Sequence, residues 1–163
     1  MWIVFDPSPT LVFPELRGVY AALAPVVETA MRVAVGFCLI PHGLRMGFGY
    51  FPNSGGPVKS WRELAASLKK WGYPPPHTFW SVVILATELI GGPLLILGLF
   101  TRVAAVPIFI LLAMSIYDHV KDGWFWNTRG VEYPIIWTCA AAYFLVNGGG
   151  MYSLDRLWLG WEF

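Results

Sequence analysis

Four long apolar stretches in a chain of 163 residues leave few folds open. They cover about residues 23–48, 79–100, 103–118 and 131–147. A helix needs about 20 residues to cross roughly 30 Å of hydrocarbon. The second stretch meets that length alone, with Glu88 as its one ionisable group. The third and fourth are short unless Asp118 and Glu132 are admitted at their ends. Apolar residues make up 56 % of the chain and charged ones 13 %, against about 25 % charged in a soluble domain. Buried as core helices, these segments would leave a soluble protein of this size almost no polar surface. The composition therefore predicts an all-α fold, a four-helix transmembrane bundle bathed in membrane lipid. A net charge of +1 offers no footprint for nucleic acid.

The organisation follows from these segments. Residues 1–22 carry several prolines and interspersed aromatics, and read as an extended or interfacial lead-in. Residues 23–155 form the membrane domain, and residues 156–163 an interfacial tail. Tryptophans cluster at segment ends (Trp61, Trp71, Trp80, Trp124, Trp126, Trp158, Trp161), where an amphipathic ring sits among headgroups. The longest connection, Tyr50 to Thr78, contains an amphipathic stretch. Ser60 and Glu63 have capping-box spacing, while Trp61, Leu64, Leu68 and Trp71 share a helical face. That pattern predicts a short interfacial helix that ties the loop down. The basic residues of this loop and of the 118–131 loop outnumber those on the other side, which places both loops in the cytoplasm.

Ionisable groups within apolar segments are costly and tend to face the protein interior. The first segment holds Glu28, Arg32, His42 and Arg45. Arg32 and His42 lie about 40° to either side of Glu28, so the polar groups form one stripe. Glu88 shares a face with Ser81 and Gly92, small residues that admit a neighbouring backbone. Its expected partner is Arg32 or His42. Gly91-Gly92-Pro93 is a candidate kink. A bundle with these faces inward would gather Glu88, Glu132, Arg32, His42 and His119 into one layer, with Tyr143 on the face of Glu132. Such a layer is open to three readings: an ion-pair lattice that fixes helix register, a proton-coupled or quinone-type site, or a docking surface.

Other chemistries are poorly supported. Cys38 and Cys139 sit in different segments without a C-x-x-C spacing, and read as small apolar side chains. His42, His77 and His119 have no metal-ligand spacing, so neither a metal nor haem is expected. No phosphate loop or dinucleotide fingerprint is present.

Several landmarks together resemble the DoxX family of small four-helix membrane proteins. They are Arg32 followed by Pro41-His42-Gly43; Glu88 through Arg102, with its Gly91-Gly92 and Thr101-Arg102; Lys121 through Asn127 with Gly130-Val131-Glu132-Tyr133; and Gly148 through Asp155. The resemblance covers about residues 31–155. Met46 stands where the family usually has lysine, Gly149 where it has proline, and Met151 where it has arginine. The resemblance implies a multi-pass protein of the bacterial inner membrane that works in redox chemistry. Family members are associated with thiosulfate:quinone oxidoreductase, with quinone as acceptor, and with membrane assemblies that handle thiols and oxidants. The expected function is therefore a membrane subunit of a redox complex, partnered by other redox subunits. Glu88, His42, Arg32 and Glu132 would be its catalytic groups, and Arg32, Glu88, Tyr143 and His119 its quinone-binding groups. The alternative is a non-catalytic subunit that packs against and assembles a larger complex.

Overall fold

The computed structural model describes residues 11–54 and 56–161. It is all-α, with no strand among those residues. Residues 1–10 of the expected lead-in, and the last two residues of the expected tail, lie outside the described residues.

Helix α1 spans Arg17–Phe48, preceded by a 3-10 turn at Pro14–Leu16. It begins six residues before the apolar pattern does. Pro14 opens the turn at a position where its missing N–H is not needed, so the helix starts ahead of the hydrophobic residues. Its 32 residues give a length of about 48 Å, well beyond the hydrocarbon thickness. Gly49 ends it in a left-handed conformation, donating its N–H to the Arg45 carbonyl.

Helix α2, Trp61–Lys70, is the short helix of the first loop. The Ser60 hydroxyl accepts from the Glu63 N–H. The reciprocal bond comes from one residue earlier than the sequence pattern implies: Glu63 Oε2 accepts from the Lys59 N–H at 2.9 Å. Leu64 and Leu68 are buried with Val58, packed against Met46, Tyr73, Ile84 and Leu85. The helix is thus anchored to α1 and to the next helix, rather than simply lying on the surface.

Helix α3 runs over His77–Leu97, with a π-turn at Thr87–Gly91 that contains Glu88. Pro93 can donate no N–H, and its ring crowds the carbonyl one turn back. Widening the preceding turn relieves that clash, so the expected kink takes the form of a π-turn. Helix α4 spans Thr101–His119. Two 3-10 turns, Val120–Asp122 and Trp126–Thr128, lead to α5, Glu132–Asn147. A π-turn at Asp155–Leu159 follows.

Three stretches among the described residues are long and apolar enough to cross a membrane: Pro14–Phe48, His77–Leu97 and Thr101–Asp122. The sixteen residues of α5 span only about 24 Å. Val35 and Leu39 from α1, Leu95 from α3, Ala105 and Ile108 from α4, and Ala141 and Phe144 from α5 form one buried core. The outward faces carry exposed Val27, Phe37, Ile90, Val103, Ile136 and Val146. Apolar side chains on the outside of an apolar core suit a lipid solvent.

α1 and α3 are antiparallel and touch through glycines. A Cβ on Gly36 would lie 2.5 Å from the Gly92 carbonyl oxygen, while Gly43 abuts Leu89 and Glu88, and Gly47 abuts Leu85. Close backbone approach of this kind is how helices associate where the solvent is itself apolar. Gly36→Val is therefore expected to destabilise the protein by at least about 2 kcal/mol. The check is a fall in the thermal midpoint in mild detergent, and an unchanged midpoint would exclude this contact as a determinant of packing.

Candidate functional site

The antiparallel register decides which ionisable groups meet. Arg32 lies level with Gly98, whereas Glu88 lies level with Gly43. The ten residues from Glu88 to Gly98 correspond to about 15 Å along the helix. Arg32 and Glu88 are therefore not partners, and the single polar layer expected from helical faces resolves into two clusters at different depths.

The first cluster is at the end of the protein away from the long loop. Arg32 is 1 % exposed and donates from Nη2 to the Tyr152 carbonyl at 3.0 Å, while its Nε and Nη1 have no hydrogen-bond partner. The charges of Asp155 and Glu28 act on it. Gly98, at φ 65°, lies directly beneath the guanidinium; a Cβ there would overlap Nη1. The Tyr143 hydroxyl donates to Glu28 Oε1 at 3.1 Å. Asp155 is fully buried and accepts three bonds: Phe100 N–H at 2.6 Å, Thr101 N–H at 2.8 Å and Thr101 Oγ1–H at 2.7 Å. This carboxylate, 54 residues away in sequence, caps the start of α4. The arrangement is a buried lock that joins α1, the α3–α4 turn and the C-terminal segment.

The second cluster surrounds a cavity of about 1000 Å³ between α1, α3, α4 and α5, roofed by the first loop and α2. Its deep walls are apolar, from Val35, Leu39, Pro107 and Leu111, with Trp137 at one side. His42, Glu88 and His119 of the sequence-predicted set line it. Arg32, Tyr143 and Glu132 do not. Glu132 sits half-buried in the first turn of α5, where a carboxylate suits the positive end of the helix. Its neighbour Tyr133 lines the cavity instead.

Glu88 is 4 % exposed, and its Oε2 has no hydrogen-bond partner. It stands about 16 Å along α3 from His77, at the middle of that helix. A buried polar atom without a partner is expensive and calls for an explanation. Arg45, which belongs to the polar stripe of the first segment, lines the cavity with Met46 and reaches the loop at Gly56. Helical arithmetic had the means to find it: Cys38, His42, Arg45 and Met46 follow i, i+4, i+7, i+8 spacing, and all four line the cavity. Cys38 and Cys139 are both free and exposed rather than packed in the core.

At the mouth, the Tyr73 hydroxyl donates to Asp118 Oδ2 at 2.9 Å and ties the first loop to the end of α4. Burial, then this bond and the charge of Asp118, push the Tyr73 phenol up from its ordinary value. It stays a donor across the working pH range. Among the described residues no three His, Cys, Asp or Glu side chains converge to hold a metal ion.

An all-α chain with apolar exteriors and a buried carboxylate lining a large cavity between its helices is a membrane protein. Residues 27–120, more than half of the chain, match the DoxX family, and the chain belongs to that family. The match ends before the fourth-helix and tail motifs. A protein of Haemophilus influenzae described as uncharacterized is 28 % identical over 116 residues, covering 60 % of this chain and 76 % of that protein. No solved structure matches the chain significantly.

Proposed function

We propose that this protein is the membrane subunit of a quinone-linked redox complex, crossing the bacterial inner membrane with all four long helices as one bundle. The observation that carries the reading is the unpartnered Glu88 carboxyl oxygen facing an apolar cavity of about 1000 Å³. Ligand pockets of roughly 300–1,000 Å³ with apolar walls and a few convergent polar groups are the usual form of small-molecule sites. A quinone fits that description, with an apolar ring for the walls and ring oxygens for the polar groups. When bound, it supplies a carrier of two electrons and two protons. The groups placed to hold its head are Glu88, His42 and Arg45. Arg45 supplies a permanent donor for a carbonyl oxygen, and Glu88 holds or releases a proton at Oε2. Electrons come from a partner subunit.

Tryptophans make the test direct, because Trp71, Trp80, Trp126 and Trp137 all line the cavity. Titration of the purified protein in mild detergent with a short-chain ubiquinone is expected to quench tryptophan fluorescence saturably. An excess of a redox-inert aromatic of the same size should compete. Linear, unsaturable quenching would sink the quinone reading. Co-purification of stable partner chains without any bound quinone would favour the assembly-subunit alternative.

A further inference from the structure

The cavity is polar at one end and apolar at the other. Asp118, His119, Lys121 and Arg129 line it where α4 ends and the second loop begins, on the side of the long loop. Val35, Leu39 and Pro107 line its apolar end, and Glu88 lines it at the level of Gly43. His42 also lines it, one residue from Gly43, whose own neighbour is Glu88.

The hydrogen bonds assign a role to His119. Its Nδ1 lies 2.8 Å from the Ser115 carbonyl oxygen. A carbonyl only accepts, so Nδ1 carries the hydrogen, and in the neutral ring Nε2 bears the free lone pair. The neighbouring Asp118 is engaged by the Tyr73 hydroxyl. His119 and His42 line the same cavity. The polar end of the cavity has room for water.

We propose that His119 and His42 form an aqueous proton route between the long-loop side of the membrane and Glu88. The protons exchanged at Glu88 then come from, and return to, that side alone. His119 Nε2 takes a proton from loop-side water and gives the same proton back, from the same atom, to water inside the cavity. His42 passes it to the Glu88 carboxylate. Only N–H and O–H bonds form and break, and no other reactant is needed. The purpose of the proton rests on the quinone reading above, but the route itself does not.

The test needs no substrate. In liposomes holding the full-length Cys139→Ser protein, Cys38 is the remaining thiol; it lines the cavity one turn before His42. A membrane-impermeant thiol reagent is expected to modify Cys38 from the same side as an impermeant amine reagent modifies Lys69 and Lys70. Reaction only from the opposite side, or only with a membrane-permeant reagent, overturns the route. Separately, the infrared carboxyl band that Glu88→Gln removes reports hydrogen–deuterium exchange at Glu88. His119→Leu is expected to slow that exchange by at least about tenfold with the helix content unchanged. Exchange at the wild-type rate overturns the role of His119. If both readouts come out as expected while ubiquinone fails to bind, the quinone reading falls and the proton route stands.

Discussion

Glu88→Gln is expected to lower quinone-linked turnover of the reconstituted complex by at least about a hundredfold, the usual scale for losing a proton-transfer group. The substitution keeps the shape of a side chain that is 4 % exposed, so the walls of the cavity stay in place. It removes the ability to exchange a proton at Oε2, the atom without a partner. Stability should hold or rise, because an amide is cheaper to bury than a carboxylate. The decisive measurement is turnover per assembled complex beside the thermal midpoint of the same sample. Wild-type turnover in the variant would remove Glu88 from the chemistry. Arg32→Gln serves as the contrast. Arg32 lies about 15 Å from the level of Glu88 along the helix, so its loss should cost stability and leave the turnover of the assembled fraction intact.

The second large effect belongs to the other polar cluster. Asp155→Ala strips three acceptor contacts from donors at Phe100 and Thr101, two of them buried. Breaking a buried charged network by deleting one member costs about 3–5 kcal/mol. The C-terminal segment loses its side-chain tie to the start of α4 with those contacts, and keeps only the backbone bond from the Asp155 N–H to the Gly98 carbonyl at 2.9 Å. The variant should therefore lose thermal stability and become sensitive to proteolysis after about residue 150. Asp155→Asn keeps one acceptor oxygen and should lose less. An Asp155→Ala protein as stable and as protease-resistant as the wild type would show that the C-terminal segment is not locked there.

The helices themselves were legible from pattern. Apolar length located α3 to within about three residues at either end, and the Ser60–Glu63 spacing located α2. The early start of α1 was not legible, because Arg17 to Ala22 carry no apolar periodicity and are helical through continuity with the turn at Pro14. For the site, the sequence marked Glu88, His42 and His119 as ionisable groups that must be sheltered. It placed Arg32 and Tyr143 with them, although Arg32 meets Tyr152 and Tyr143 meets Glu28 at the other end. It had no means to see Asp155 as a helix cap, since 54 residues separate donor and acceptor and no local spacing encodes that contact.

The sequence by itself determined the solvent and the secondary structure. Both follow from sums over local residues: the apolar length of a segment, the period of a helical face, and the free energy of placing each side chain in lipid. Only the tertiary structure decided which charges meet. Helical arithmetic fixes the angle of a residue around its own axis, but not its height against a neighbour. That height comes from glycine contacts such as Gly36 on Gly92 and Gly98 beneath Arg32, where backbones approach until atoms touch. A shift of one helical turn in that contact would pair different ions, and no pattern within a single segment carries the information.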